Sequence, residues 1–491
     1  MVNYKKNISL SVSMFVSLQV PIKERSKKRF FKMEHWRTSK KTKYLIASAI
    51  IAVLLISIFA FFPKESVTEA NVTPQGTESE TSSPPTPKSA PPEPKEESDT
   101  DYLSGLLGSV FRDVILRKEP GLIASAKTIN STIWMKVAAI AWAFYQPNVG
   151  VDPNTGLPFS TGFRFSGFTD WDLGSYIQAV IVAQKIGLID TNGTWGSYAR
   201  FDRVLTFLEN RPLNAYGYPF QFYDARTGRE YYPDANASTR IVDIADTGKL
   251  LVALNNLRYF NDTFAPRINT IVLGGRSNYT AVAANISKNA DLRDIYGYYV
   301  YSGFASFWPQ QLEGVPSAII DYILNSQNIT TYGVTLPRSN ICIEPLLGSL
   351  FELDNDDSAK LMGLATQVYF ACEAYYNSTG EFVAPSEGSN GNEWLYEWVV
   401  APNGEAWRIV DTSGNYRDMD FIVYNKVAFG FLALFNTDFA RDMVIWLEDA
   451  LPNPTNGYHD GADNRGGTYA YISDLTNALI LETALYALQK G

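Results

Sequence analysis

Acidic residues stand at the start of three apolar helical segments. The segments open with Thr169-Asp170-Trp171-Asp172, with Asp243-Ile244-Ala245-Asp246 and with Ser473-Asp474. An acidic or hydroxyl side chain at a helix start caps free backbone N–H groups and suits the positive end of the helix dipole. If several such starts converge on one cleft, the same carboxylates could instead divide acid and base roles between them, as cleavage of a glycosidic bond requires. Capping and catalysis remain open as alternatives.

Two further candidate acids lie in loops. Glu387 follows a predicted strand in Pro385-Ser386-Glu387-Gly388-Ser389, and Asp460 lies between Asn456 and Gly461. Our hypothesis takes Glu387 or Asp172 as the general acid and Asp246 or Asp460 as the base, because the two roles need one protonated and one ionised group. Asp170 completes the candidate catalytic set. Glu344 and Glu352 are buried alternatives for the acid, although Glu344, just before Pro345, favours a role as a helix cap. Glu482 favours a structural role as a packed side chain.

Aromatic side chains make up 14% of the chain, and many of them lie in predicted loops. Aromatic rings in a polar cleft can support the C–H faces of sugars, whereas rings between helical layers simply fill space. Both interpretations stay open. The candidates for substrate binding are Trp171, Tyr223, Trp394, Trp398 and Tyr458.

The elements that must position these residues are mostly helices. Apolar residues recur at three- and four-residue spacing in 133–145, 173–189, 248–260, 358–376, 425–435 and 474–488, and the more polar segments 198–211 and 437–451 lie between them. Two strand pairs are predicted in the loops, over 220–232 with a turn at Thr227-Gly228 and over 398–410 with a turn at Asn403-Gly404.

Apolar helices alternating with amphipathic ones predict an inner and an outer helical layer, since a helix that is apolar all round must be buried. The fold class is therefore mainly α, an (α/α)6 toroid of helical hairpins with short β-hairpins in its loops. An open helical solenoid is the alternative, although no strict repeat of the usual solenoid length is visible.

Several of these segments resemble a known family. The stretches YNKVAFGFLALFNTDFARDMVIWLEDA, NGYHDG and DLTNALILETALYAL, together with TDWDLGSYIQAVIVAQKIGLI and DIADTGKLLVAL, look like a prokaryotic family of secreted or membrane-anchored proteins with a domain of unknown function. That family is similar in architecture to six-hairpin glycosidases of the glucoamylase-like and β-glucanase-like groups. The resemblance implies a toroid that could hydrolyse a polysaccharide or glycan. Its matching positions are Asp170, Asp172, Asp246, Lys426, Asp460, Thr476, Asn477 and Glu482.

The N-terminal part predicts a membrane anchor. Residues 1–43 carry a net charge of +10, and 44–62 form an uncharged apolar run that would span roughly 28 Å as a helix. Because positive charge stays in the cytoplasm, we expect one uncleaved transmembrane helix with its N-terminus inside. Met33 opens a conventional anchor sequence and is an alternative start. Residues 63–100, rich in Pro, Ser and Glu, predict a disordered tether that carries an extracellular domain over 101–491.

The composition also bears on partners and on cofactors. The formal net charge of the whole chain is −9, so 44–491 carries −19, which makes a nucleic-acid partner very unfavourable. No nucleotide-binding motif and no cluster of His or Cys occurs, so we expect neither a cofactor nor a metal.

Nine Asn-X-Ser/Thr sites beyond the anchor allow for glycosylation. Cys342 and Cys372 could form a disulfide or remain as buried thiols.

Two functions of different class follow. The first is a membrane-tethered glycoside hydrolase with paired carboxylates, and the second is a non-catalytic glycan-binding or cell-envelope scaffold protein of the same fold. The spacing of the carboxylates in the cleft distinguishes them: two facing acids about 5–10 Å apart favour hydrolysis, whereas acids engaged by helix caps or arginines favour binding.

Overall fold

A computed structural model describes residues 120–162, 165–231, 242–354, 356–390, 393–465, 468–469 and 471–490. The predicted basic segment, membrane anchor and tether lie outside these residues. Within the described part of the chain, no helix combines the length and the apolar character needed to cross a bilayer.

The described residues form fourteen α-helices, and the eight predicted helical segments correspond to eight of them. Thr169 caps one of them through a capping box with Asp172, and Asp243 caps the next inner one through the Ala245 and Asp246 N–H groups. The helices are α1 (Leu122–Ser125), α2 (Ser131–Phe144), α3 (Asp170–Lys185), α4 (Ser197–Asn210), α5 (Ile244–Phe260), α6 (Ala265–Leu273), α7 (Tyr279–Asn289), α8 (Ile295–Ala305), α9 (Val315–Leu324), α10 (Ile343–Phe351), α11 (Ser358–Thr379), α12 (Asn425–Phe435), α13 (Asp438–Ala450) and α14 (Asp474–Lys490).

Eleven short strands occupy the connections between the described helices. They are β1 (Gly167–Phe168), β2 (Tyr223–Asp224), β3 (Asn328–Thr331), β4 (Val334–Pro337), β5 (Glu387–Ser389), β6 (Trp394–Val400), β7 (Ala406–Asp411), β8 (Tyr416–Arg417), β9 (Ile422–Tyr424), β10 (Gly461–Asp463) and β11 (Thr468–Tyr469). The predicted pair over 398–410 is confirmed, since β6 pairs with β7 around Gly404, whereas the pair predicted over 220–232 is reduced to a single bridge from Tyr223 to Glu230 because β2 pairs with β1. The second pair belongs to a larger antiparallel sheet in the order β5-β6-β7-β8, which the sequence did not predict.

Six helices close into an inner ring. Helix α3 packs against α5, α5 against α8, α8 against α10, α10 against α12, α12 against α14, and α14 back against α3. The outer helices α4, α6, α9, α11, α13 and α2 cover α3, α5, α8, α10, α12 and α14 in turn. The chain therefore alternates between the two layers, and the ring closes, which excludes the open solenoid.

Two details of the predicted layers are wrong. Helices α2 and α11 were grouped with the apolar inner helices, but they lie in the outer layer and expose one face, as Lys136 and Phe370 show. Helices α8 and α10 complete the inner ring, and the apolar pattern did not identify them. Helix α8 reads IYGYYVYSGFA, and tyrosines obscure its period because they present both an apolar ring and a hydroxyl.

Glycines allow neighbouring inner helices to approach closely. A Cβ atom at Gly303 in α8 would overlap the carbonyl oxygen of Gly248 in α5, and a Cβ at Gly248 would lie 2.8 Å from the carbonyl oxygen of Val300. Because both obstacles are backbone atoms, no rotation of a side chain can relieve them.

We predict that Gly303→Ala lowers the free energy of unfolding by about 1–3 kcal/mol, because α5 and α8 must move apart. The matched control is Gly363→Ala in the outer helix α11, where an added Cβ meets nothing within 4 Å. There the exchange should stabilise the protein by about 0.5–1 kcal/mol, since alanine loses less backbone entropy on folding. Urea unfolding of both variants tests the pair, and equal effects would contradict the close packing.

Candidate active site

The six inner helices all begin at one end of the ring, here called the mouth. The starts of α3 and α14 meet through the carboxyl groups of Asp172 and Asp474. The starts of α8 and α10 meet where the Ile295 N–H donates to the Asn340 carbonyl over 3.1 Å. The start of α5 brings Asp246 near enough to Asp172 and to the loop residue Glu387 for their charges to act on it. Ring closure thus gathers the predicted acids in one place.

Asp170 is held in a buried ion pair. The Arg211 guanidinium contacts both of its carboxylate oxygens, the second over 3.3 Å, and also donates to the hydroxyl of Tyr279. Asp170 and Arg211 are both almost fully buried. A bidentate pair in such surroundings fixes the connection between the start of α3 and the end of α4. Asp170 is therefore assigned to structure in this arrangement.

The carboxyl group of Asp172 also makes structural contacts within the protein. One of its oxygens accepts the Thr169 N–H over 2.7 Å, which closes the capping box of α3. The side chain further hydrogen-bonds to Asp474. Burial raises the pKa of Asp172, while the hydrogen bonds from Asp474 and Thr169 oppose that rise. Two carboxyl groups can share a hydrogen bond only if one is protonated, and Asp474, whose pKa is raised further by burial and by the charge of Asp172, is the protonated partner.

Asp460 links the loop before α14 to the start of α12. Its carboxylate accepts a hydrogen bond from the Ser473 hydroxyl, and its backbone carbonyl accepts the Asn425 N–H over 2.8 Å. The side chain is 5% exposed. Asp460 therefore positions two helix starts, and its carboxylate is turned into the protein.

Glu387 is placed by a strand. It lies in β5, pairs with Tyr396 of β6, and accepts the indole N–H of Trp394 over 3.2 Å. Burial, together with the nearby charge of Glu344, raises the pKa of Glu387 to about 8, against the opposing charge of Lys426. A carboxyl group with that pKa is mostly protonated in neutral solution, as a general acid must be.

Lys426 holds the segment that carries Glu387. Its ammonium group lies fully buried at the start of α12, pairs with Glu344 of α10, and donates to the Glu387 carbonyl over 2.9 Å. The Ser386 hydroxyl donates to Glu344 over 2.9 Å. Three contacts thus fix the backbone on either side of the Glu387 side chain without using its carboxyl group.

Asp246 is the most open of the predicted acids. Its side chain is partly exposed, and no hydrogen-bond donor among the described residues reaches it. One side of the Asp246 side chain is open to solvent, and protein atoms surround the other sides. Burial and then the charges of Asp243, Asp172, Asp170 and Glu387 raise its pKa well above the usual range. Asp246 and Glu387 are therefore the two candidate acids that neither a capping bond nor a cation engages through the carboxyl group.

The floor below the mouth is charged as well. Lys249 of α5 pairs with Glu352, which also accepts the Tyr299 hydroxyl and the Gln178 amide, both over 2.8 Å. Glu482 of α14 faces Glu352, and its pKa is raised by burial and by that neighbour. Lys249 and Glu352 line a narrow cavity of about 10 Å³, the size of one water molecule. The predicted structural role of Glu482 agrees with this burial.

The predicted aromatic residues divide into two sets. Trp394, Trp398 and Trp171 lie around the mouth, where Tyr296 packs between Trp171 and Trp398 at ring distances of 6.3 and 5.8 Å; Trp171 and Trp398 are buried there, and Trp394 is partly exposed. Tyr223 and Tyr458 are buried, against Phe207 and Phe429 respectively, so neither ring is open to a ligand in this structure.

The sequence analysis did not identify Tyr296 as a residue of the mouth. It also gave neither Tyr396 nor Lys426 a role beside Glu387. Tyr396 interacts with the charges of Glu387, Asp243 and Asp246. Its place in an alternating strand with Trp394 and Trp398 was a usable signal, because alternate residues share a face.

Cys342 and Cys372 are both buried free thiols. Among the residues that the structure describes, no group of His, Cys, Asp and Glu side chains is arranged to hold a metal ion.

A closed ring of helical hairpins with carboxylates at one mouth defines the class of six-hairpin toroids with a glycosidase-like fold. Within that class, the sequence matches the model of the protein family of unknown function DUF3131 over residues 136–289 and 318–490, about two thirds of the chain. The chain belongs to that family. No curated protein matches it significantly in sequence.

Several solved structures share the fold at low identity. An endo-β-1,2-glucanase from Chitinophaga pinensis, in complex with sophorotriose and glucose, has 14% identity and a TM-score of 0.53, covering 74% of this chain and 95% of its own. An endo-β-1,2-glucanase from Talaromyces funiculosus with sophorose has 12% identity and a TM-score of 0.52, over 76% and 89%. A glucoamylase-like protein from Bacteroides caccae has 15% identity and a TM-score of 0.50, over 74% and 95%.

The shared proton between Asp172 and Asp474 leads to a prediction about stability. A carboxyl group whose pKa rises on folding keeps its proton in the folded state over a pH range in which the unfolded chain has lost it. The free energy of unfolding therefore falls as pH rises through that range. In Asp474→Asn, an amide N–H replaces the shared proton, so the variant should lose less stability than wild type between pH 5 and pH 8.

Thermal unfolding at both pH values measures this difference, and Asp202→Asn on the exposed face of α4 is the control. If wild type and Asp474→Asn respond equally to pH, the two carboxyl groups do not share a proton.

Proposed function

We propose that this protein is a glycoside hydrolase that cleaves a polysaccharide or glycan, with Glu387 as the general acid and Asp246 as the general base. The proposal rests on one difference among the acids at the mouth, namely whether the carboxyl group is already engaged by a structural contact. Asp170, Asp172 and Asp460 are engaged in an ion pair, a helix cap and a loop contact, whereas Glu387 and Asp246 remain available.

The surroundings of the two acids suggest how the roles divide. Glu387 is 7% exposed, and Trp394 orients one of its oxygens, which suits the delivery of a proton to a leaving oxygen. Asp246 is the more open to solvent and suits the activation of water or attack on the sugar. Glucanases with this fold act on glucans, which supports a carbohydrate substrate but does not define the sugar.

The charge of the mouth favours a neutral glycan. Its three buried cations are already paired, Arg211 with Asp170, Lys249 with Glu352 and Lys426 with Glu344. A polyuronate or sulfated chain would meet uncompensated carboxylates and be repelled. We therefore propose uncharged sugars as the substrate class.

The cellular setting is part of the proposal. The predicted anchor at 44–62 and the tether at 63–100 would hold the toroid outside the cell, in reach of envelope or external polysaccharides. Attachment to a lipid bilayer is testable by fractionation of cells that express the full chain.

We predict that Glu387→Gln and Asp246→Asn each reduce glycan cleavage by about 10²–10⁴-fold, because each removes one proton-transfer group while it preserves shape. Reducing-end release and glycan binding are both measured with the full chain in detergent, on neutral glucans and on polyuronates. Asp202→Asn, an exposed carboxylate of α4, is the control and should retain activity. Binding of a glycan by wild type without any release would instead establish the alternative, a non-catalytic glycan-binding protein.

The raised pKa values predict a pH profile. Glu387 must be protonated to act as an acid, so kcat/KM should fall as pH rises through its pKa of about 8. Asp246 must be ionised, and its raised pKa moves the acidic limb upward from the range usual for aspartate. The profile should therefore be bell-shaped, with an alkaline limb near pH 8 and an acidic limb above the range usual for aspartate. An optimum at pH 4 with no activity at pH 7 would contradict these roles.

A further inference from the structure

We infer that the cleft-facing side of the β5–β8 sheet is a binding track for an extended glycan, running from Glu387 to Tyr416. The track deepens the proposed function and rests on it, since it would hold the substrate beside the candidate acid. Four residues define it, one from each strand: Glu387, Tyr396, Val410 and Tyr416.

The strand register places these four residues in one row. Glu387 of β5 lies opposite Tyr396 of β6, Tyr396 opposite Val410 of β7, and Val410 opposite Tyr416 of β8. Residues directly opposite in antiparallel strands project from the same face. With neighbouring strands about 4.8 Å apart, Tyr416 lies roughly 14 Å from Glu387 along the row, which exceeds the length of a single sugar ring.

Contacts on both faces show which one borders the mouth. On the face that carries the row, the Trp394 indole N–H donates to the Glu387 carboxyl group, and the Trp398 ring packs against Tyr296. On the other side, the Glu397 carboxylate accepts the buried Ile422 N–H over 3.0 Å, and Arg417 pairs with Asp411 and Glu393. The second face is buried at Leu395, Glu397 and Ile409, so the row lies on the opposite face, which carries Glu387 and borders the mouth.

Tyr416 is the exposed end of the row. Its side chain is 46% exposed, and no ring contact to it is found among the described residues. A tyrosine ring costs little conformational entropy to order, and its face can lie against the C–H groups of a neutral sugar. The ring is a distal subsite for sugar units away from the cleaved bond.

The test is the dependence of binding on oligosaccharide length. Binding of linear β-linked gluco-oligosaccharides, from the disaccharide to the hexasaccharide, is measured by calorimetry with the full chain in detergent, in the Glu387→Gln background to prevent turnover. Tyr416→Ala should weaken hexasaccharide binding about tenfold and leave disaccharide binding unchanged, and Tyr416→Phe should retain wild-type binding because the ring is kept. Tyr259→Ala, at the 77% exposed residue near the other end of α5, is the matched control.

The possible results separate this inference from the proposed function. If Tyr416→Ala alters hexasaccharide binding selectively but wild type releases no sugar, the track stands and the hydrolase fails. If wild type cleaves a glucan but Tyr416→Ala binds all lengths as tightly as Tyr259→Ala does, the track is wrong and the hydrolase stands. Equal affinity for the disaccharide and the hexasaccharide in the parent protein would also overturn the track.

Discussion

Closure of the inner ring forces six helix starts into one small volume, and the electrostatics of the molecule follow from that constraint. Acidic side chains at a helix start are favourable individually, because they cap N–H groups and face the positive end of the helix dipole. Asp170, Asp172, Asp246, Glu344 and Asp474 all lie in the first turn of an inner helix. Once α14 packs back on α3, these capping groups become neighbours and repel one another.

The protein relieves this repulsion in two ways. Buried cations compensate some acids, as Arg211 does for Asp170 and Lys426 for Glu344. Protons compensate others: Asp474 donates to Asp172, and Glu482 faces Glu352 with a raised pKa of its own. Glu387 and Asp246 take part in neither an ion pair nor a hydrogen bond shared between two carboxyl groups. The mouth therefore holds more acids than its helix caps and buried cations engage, and one of the two left over, Glu387, lies on a strand rather than at a helix start.

The sequence predicted the helices better than the site. Long periodic segments such as α12 and α14 were placed within two residues, because apolar spacing directly reports a buried helix face. In the sequence alone, Asp172 and Asp246 look equivalent, because each is the third residue of its helix. The cap of Thr169 with Asp172 and the cap of α5 by Asp243 are local, but only the folded ring brings Asp474 onto Asp172 and leaves Asp246 without a partner of that kind. Which acid stays available depends on contacts between distant segments, and no local pattern encodes those.

Glu387 differs from the other mouth acids in lying on a strand. A helix-start carboxylate is held by the helix that it caps, so its capping bonds compete with any chemistry. Glu387 is held instead through its own carbonyl by Lys426 and through the hydroxyl of Ser386 on Glu344, and its carboxyl group accepts only from the side chains of Trp394 and Tyr296 among the described contacts. The same lysine lowers the pKa of Glu387 while Glu344 raises it, so the ion pair that fixes the strand also limits how far the pKa rises. Position and protonation of this acid therefore depend on one buried pair, Lys426 with Glu344, which joins the two inner helices that flank the sheet in the ring.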